Sequence, residues 1–453
     1  MSMSSEGSRA DRCGPPVLTA DRRQTAAEVG LRLAALRERR AGRTDPQLCD
    51  RVRDLVVVCS SSRSGSSLLG ALLRRSPDLL STSAEINPHF LIPALDLGPD
   101  VAPDLVADPS PVVAHGAGRE VTRTELALDL GQPVDLGDAA RLDVEAFADH
   151  VTWRLTMQWP GEAVDPRHVA AVVQACGVPG GDLDTWFVSC LLPAMRAEHP
   201  TIDPARYDLP ADLRVPEPRA FGGPPATIVE MAPFVVPGPW RHATPAETAS
   251  LPVVLSTPRN AFRLPLLASL FPAARIRVLH LVRNPAASVN GLRDGWLHPD
   301  FLTCRMPGGL HIDGLDVPEE RADHWCFDLP PDWRELTARS LPEVCAEQWC
   351  RANEATIAGA NHLDVARHVV HFEDLTGPRN GRRAALRAVA DFLGIAPGPL
   401  TSESPLPVVM ATAAPRPGRW RDNAPVLDPV LRDPAVRETA TRLGYEPDPD
   451  TWT

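Results

Sequence analysis

The sequence predicts an α/β protein built around a buried parallel sheet. Leu55–Val58 and Ile276–Val282 are near-continuous apolar runs, the pattern of strands covered on both faces. Each run ends in a short polar turn and passes directly into a helical pattern. Between them lie about 200 residues, far more than one crossover needs, and their middle reads as helices.

Residues 1–18 are rich in Ser, Arg, Gly and Pro and are expected to be disordered. Residues 25–41 predict an amphipathic helix, with Thr25 as N-cap, Ala26, Val29, Leu33 and Leu36 on one face, and Gly42 at its end. Residues 1–50 therefore stand apart as an N-terminal segment.

The first strand runs into Ser62-Arg63-Ser64-Gly65-Ser66-Ser67. Leu68, Leu69, Ala71, Leu72 and Leu73 then follow at helical spacing. Such a turn aims unpaired N–H groups and the positive helix end at one spot, a seat for a phosphate. Gly65 lets the backbone approach closely, and Arg63 adds a fixed positive charge. The turn is not a Walker loop, which needs GxxxxGK[ST]. The 46 basic residues are all arginine. The bland alternative is a serine-rich turn with no ligand.

The second strand ends in Arg283-Asn284-Pro285, and Pro285 suits the first turn of a helix. Two such turns on neighbouring strand ends would hold a ligand with two separated phosphates.

In the middle, Val144, Phe147, Val151 and Leu155 form a stripe that Pro160 stops. Residues 166–176 and 184–197 are further helical candidates. Residues 96–249 are expected to form a mostly helical insertion, capping the carboxyl edge of the sheet and binding an acceptor. Trp153, Trp159 and Trp186 either line that acceptor pocket or anchor the core of the cap, the second being the usual use of aromatic residues. Residues 298–334 lack periodicity and predict a long lid-like or substrate-facing loop. A helix over 343–360, a strand over Val365–Phe372 and a helix over 380–394 complete the pattern.

The net charge of −12 argues against a nucleic-acid binder. Nine scattered cysteines without a CxxC pair suit small apolar side chains in a reducing compartment. His368 with His371, and Cys345 with Cys350, lack zinc spacing, so no metal is expected. No apolar run approaches the ~20 residues of a membrane span. A cytoplasmic protein without membrane partners is the expectation, and a homo-oligomer stays open.

Four segments in order resemble the sulfotransferases that use 3′-phosphoadenosine 5′-phosphosulfate (PAPS), of bacterial and Golgi-like type. Ser62–Ser67 is similar to the 5′-phosphosulfate loop, written P-[KR]-S-G-T-T. Leu281-Val282-Arg283-Asn284-Pro285 with Ser288 resembles the 3′-phosphate segment. His371-Phe372-Glu373-Asp374-Leu375, followed by Phe392-Leu393-Gly394, resembles the family's YEDL…FLG stretch. Arg416-Pro417-Gly418-Arg419-Trp420-Arg421 is similar to the late loop that closes over the nucleotide, and Leu443-Gly444-Tyr445 follows it. The likeness covers residues 53–95 and 250–446. It implies a three-layer α/β/α, P-loop-like sulfotransferase fold, with a PAPS-binding catalytic domain over 51–95 and 250–453.

The resemblance also implies roles. Arg63 and the Ser64, Gly65, Ser66 and Ser67 backbone would hold the 5′-phosphosulfate. Arg283 and Ser288 would hold the 3′-phosphate, with Arg416 and Arg419 as clamps. A guanidinium cannot deliver a proton at neutral pH, so Arg63 is assigned electrostatic stabilisation. Glu85 is the candidate general base and His89 the runner-up. The size of the cap, rather than the resemblance, leads to the expectation of a small-molecule or carrier-bound acceptor of bacterial secondary metabolism, offering a hydroxyl or amine.

Three positions depart from the pattern. Ser62 stands where the family has proline. Gly291 stands where a serine follows the 3′-segment arginine by eight residues, leaving Ser288 or Asn290 to substitute. Ser256 replaces a lysine in Val253–Pro258, with Arg259 a candidate source of charge. A P-loop-like kinase and an inactive nucleotide-binding module are the competing readings. A serine hydrolase lacks its GxSxG elbow.

Overall fold

The computed structural model describes residues 18–45, 47–97, 103–134, 143–177, 182–214, 224–402 and 405–452. Most of the expected disordered N-terminus, residues 1–17, lies outside them.

Seven strands form the central sheet. They are β1 (Asp54–Cys59), β2 (Leu80–Ser81), β3 (Gly131–Pro133), β4 (Trp240–His242), β5 (Val253–Ser256), β6 (Arg275–Val282) and, after a separate hairpin of β7 (Cys304–Arg305) and β8 (His324–Trp325), β9 (Ala366–His371). Their order is β4-β3-β2-β5-β1-β6-β9. The five strands from β2 to β9 run parallel, with Leu55 opposite Val253 on one side and Ile276 on the other. β3 and β4 extend the sheet antiparallel.

Alternation along β1 separates two helical layers. Val56 and Val58 face Leu68, Leu69 and Leu72 of the Ser66–Leu73 helix and Leu386, Val389 and Leu393 of the Arg379–Leu393 helix. Leu55, Val57 and Cys59 face the opposite cluster, with Leu264, Leu267, Leu126 and Ala360. Every one of these β1 side chains is fully buried, which is why the strand reads as continuous apolar sequence. The fold is three-layer α/β/α.

β1 is central. The chain leaves β1 toward β2 on one side, and leaves β6 toward β9 on the other. The carboxyl ends of β1 and β6 therefore flank a topological switch point, where open α/β sheets bind ligands.

The segment read as an insertion contains the Val144–Gln158 and Pro166–Cys176 helices and a helical run from Leu183 to Glu198. It also supplies β3 and β4, because Gly131 pairs with His242 and Ser81 with Gly131. The segment thus shares the sheet of the rest of the chain. Trp153, Trp159 and Trp186 are all buried in core clusters. Trp159 Nε1 donates to the Tyr207 hydroxyl at 2.9 Å, and Trp186 Nε1 to the Gly177 carbonyl at 2.9 Å.

The N-terminal helix runs Leu18–Arg40, longer than its apolar stripe suggested. Val29, Leu33 and Leu36 pack with Trp153, Met157 and Val229. Residues 298–334 fold as a hairpin and two short 3-10 turns around buried Phe301, Trp325 and Phe327. No helix among the described residues is long and apolar enough to cross a membrane.

Candidate functional site

The loop after β1 is a tight crook. Ser64 N–H donates to the Ser61 carbonyl at 3.3 Å, and the two hydroxyls lie 2.7 Å apart. Arg63 and Gly65 both adopt the left-handed region, at φ of 66° and 98°. A Cβ at position 65 would stand 2.3 Å from Phe372 Cδ2, so only glycine fits. The Ser66–Leu73 helix begins at Gly65 with no side-chain cap. Its first N–H groups, at Ser66 and Ser67, have no partner within the helix.

Ser62 uses what proline would lack. Its N–H donates to Asp328 Oδ2 at 2.6 Å and its hydroxyl to Asp328 Oδ1 at 2.8 Å. Asp328 is fully buried in the 298–334 segment. Burial raises its pKa, while the Ser62 donors and Arg259 oppose the rise.

The two arginine turns meet. Arg283 Nη1 donates to the Arg63 carbonyl at 3.0 Å, and its guanidinium lies 4.6 Å over the Phe372 ring. Arg63 lies 5.0 Å over Phe301 and donates to the Met410 carbonyl at 2.7 Å and to Thr412 Oγ1 at 3.3 Å. Burial, then the charge of Arg283, pulls the Arg63 pKa down to about 10. Burial also lowers that of Arg283. Two desolvated cations this close favour an anion between them.

Ser288 is fully buried, its hydroxyl 3.4 Å from Ser64 Oγ and donating to the Arg283 carbonyl at 3.4 Å. At Gly291 a Cβ would come 3.2 Å from Arg63 Cβ, so the missing serine makes room for Arg63. Asn290 Oδ1 accepts from Asn423 Nδ2 at 2.8 Å. Arg419 pairs with Asp294 at 2.5 Å and acts electrostatically on both Arg63 and Arg283. Arg416 is exposed and paired with Asp422.

The other motifs brace this point. Glu373 Oε1 accepts from the Asn284 N–H and Nδ2, both at 2.9 Å, and Oε2 accepts from the Tyr445 hydroxyl at 2.9 Å. Asn284 in turn caps the Pro285–Trp296 helix by accepting from Ala287 N–H at 2.8 Å. His371 donates through Nε2 to the Leu443 carbonyl at 2.9 Å.

Beside the loop is a cleft lined by Arg63, Ser66, Ser67, Glu85, Glu230 and Asp328. Glu85 Oε2 accepts from Thr257 Oγ1 at 3.1 Å and Asn87 Nδ2 at 3.0 Å, and burial raises its pKa. Arg259 also lines the cleft and donates to Thr303 Oγ1 at 2.8 Å. A second guanidinium reaches the Ser256 neighbourhood: a Cβ at Gly70 would stand 3.5 Å from Ser256 Oγ and 3.6 Å from Arg74 Nη1.

His89 lies elsewhere. It is buried, donates through Nδ1 to the Ile86 carbonyl at 3.2 Å, and places Nε2 3.2 Å from Asp129 Oδ2. It is not among the residues lining the cleft.

Asp328 and Glu230 escaped the sequence reading. For Asp328 there was one signal: Ser62 in place of proline leaves an N–H in need of an acceptor. Glu230 sits in an irregular stretch with no motif around it, so nothing pointed to it.

No family model and no curated protein matches the chain. Among solved structures, it is similar to the sulfotransferase domain from the curacin biosynthetic pathway, at 13% identity and a TM-score of 0.35, over 87% of this chain and 99% of that one. It is also similar to the sulfotransferase domain from the Synechococcus PCC 7002 olefin synthase, at 13% identity and a TM-score of 0.30, over 88% of this chain and 87% of that one. Both likenesses are distant, and the chemistry of the site stands on its own geometry.

Proposed function

We propose that this protein transfers the sulfuryl group of PAPS to a hydroxyl or amine of a small-molecule or carrier-bound acceptor. One observation carries the reading: Arg63 and Arg283, far apart in sequence, meet at the carboxyl ends of adjacent parallel strands. An anion with two separated phosphates suits that pair, with the uncapped helix start beside it.

The residues fit such a substrate. The Ser64–Ser67 backbone and Arg63 would take its 5′ end, and Arg283 with Arg419 its 3′-phosphate. Gly65 makes room for the Phe372 ring and Gly291 for the Arg63 side chain. Arg63 would stabilise charge on the leaving oxygen, and a cleft carboxylate would take the acceptor's proton, Glu85 being the one the sequence points to. In-line transfer of this kind rests on positioning and electrostatics, as in phosphoryl transfer.

Thermal unfolding with adenosine 3′,5′-bisphosphate against ATP and magnesium tests the reading. The bisphosphate should raise the melting temperature and ATP should not, and Arg63→Ala should abolish the rise. A shift with ATP and magnesium alone would favour a kinase-like protein instead.

A further inference from the structure

Glu230 is held like a working group. It borders the cleft that Arg63, Ser66 and Glu85 border. Only 10% of its side chain is exposed. Its Oε1 accepts from Arg154 Nη2 at 2.5 Å and Gln158 Nε2 at 3.3 Å. Arg154 and Gln158 are one turn apart on the Val144–Gln158 helix, so one helix face grips one oxygen. Gln158 is itself fixed: its amide donates to the Val235 carbonyl at 3.0 Å and accepts from the Tyr207 hydroxyl at 3.1 Å, which accepts from Trp159 at 2.9 Å. The other oxygen, Oε2, is buried and has no hydrogen-bond partner among the described residues.

An unpaired carboxylate oxygen in a low-dielectric setting is costly unless a ligand completes it. Glu85 likewise has two side-chain donors on one oxygen, Oε2, but of the two carboxylates only Glu230 leaves its other oxygen both buried and unpartnered among the described residues. Burial pushes the Glu230 pKa up to about 6, the Glu85 charge adds to the rise, and Arg154 opposes it. The other charged groups around the cleft are Arg63, Arg259 and Asp328. A proton acceptor poised near neutrality is what general-base work requires. The remaining walls are apolar, with Leu91, Ile228, Met231, Pro233 and Phe301.

We infer that Glu230, rather than Glu85, takes the proton from the acceptor, and that the acceptor is an alcohol with an apolar body. This rests on the sulfuryl-transfer reading above. Glu230 Oε2 accepts the hydroxyl proton as the acceptor oxygen forms its bond to sulfur. The bond from sulfur to the 5′-phosphate oxygen breaks, and the electron pair leaves with the bisphosphate nucleotide beside Arg63. Arg154 and Gln158 position the base, and Glu85 holds Thr257 and Asn87 at the cleft wall.

The test compares wild type, Glu230→Gln, Glu230→Asp and Glu85→Gln. Calorimetry measures binding of adenosine 3′,5′-bisphosphate. Radiolabelled PAPS measures transfer to a medium-chain primary alcohol, a simple phenol and a primary amine. Infrared difference spectra between pH 5 and pH 8 follow protonated carboxyl groups. Glu230→Gln should bind the nucleotide within about twofold of wild type, lose transfer by roughly 100-fold or more, and lose a carboxyl band that titrates near pH 6. Glu230→Asp, which keeps the charge, should keep a titrating band and lose less transfer. Nucleotide binding with normal transfer in Glu230→Gln overturns the assignment alone. So does a band that survives in Glu230→Gln and vanishes in Glu85→Gln. Absence of nucleotide binding in wild type overturns the assignment and the parent reading together. Transfer to the amine and to neither alcohol overturns the acceptor class.

Discussion

Arg283 Nη1 donates to the main-chain carbonyl of Arg63 at 3.0 Å. That bond ties the turn after β1 to the turn after β6, across 220 residues of sequence. It holds Arg63 in its left-handed conformation, φ 66°, which a side-chain-bearing residue adopts at a cost. Arg283 thus serves twice, as a cation beside Arg63 and as a clamp on the loop that presents that residue.

Arg283→Ala should therefore do more than remove a charge. Affinity for adenosine 3′,5′-bisphosphate should fall by roughly 10- to 100-fold, the range of a lost charge-assisted hydrogen bond. Arg283→Lys should recover only part of it, because an ammonium cannot both lie flat on Phe372 and reach the carbonyl. Calorimetry on the three proteins decides; full recovery by lysine would reduce Arg283 to a point charge.

Asp328 holds the same loop from the opposite side, through the Ser62 N–H and hydroxyl. Asp328→Asn sets an amide group against one of those donors. Stability should drop by about 1–3 kcal/mol in urea unfolding, and nucleotide affinity should fall with it. Ser62→Ala removes the hydroxyl alone and should cost about 1 kcal/mol with the loop still formed. An Asp328→Asn protein that binds the bisphosphate as wild type does would show that the loop needs no such anchor.

His280 sets a dependence on pH. On β6 its Nε2 donates to Asn353 Oδ1 at 2.9 Å, and its Nδ1 accepts from Arg367 Nη1 at 3.0 Å, so the ring is neutral. Burial pulls its pKa down to about 3. The unfolded chain takes up this proton near pH 6.5 and the folded chain does not, so acid favours unfolding. His280 should remove about 2 kcal/mol of stability between pH 6.5 and pH 5. Buried His150 and half-buried His242 act in the same direction, His242 lowered to about 4. Urea unfolding at the two pH values should show a smaller loss in His280→Asn than in wild type. An equal loss would mean that His280 keeps its proton in the fold.

How much of this was legible follows from how each feature is encoded. β1 and β6 could be read because each is buried on both faces and so is apolar at every position. The Val144–Gln158 and Pro166–Cys176 helices could be read because apolar stripes and prolines mark them. β3 and β4 could not. Three residues each, including Gly131, Pro133 and Arg241, carry no strand period, and only pairing across about 110 residues makes them strands. Gly291 looked like a loss in sequence and is an accommodation in space, since Arg63 packs where a serine would stand.

The sequence alone determined the α/β class, the two arginine-tipped turns and their order, because burial period and turn chemistry are local properties written residue by residue. Tertiary structure alone decided that Arg63 and Arg283 touch, that Asp328 anchors Ser62, and that Glu230 faces the same cleft as Glu85. Those relations join groups 145 to 266 residues apart. Desolvation and hydrogen bonding at such distances depend on how layers pack, which no local pattern records.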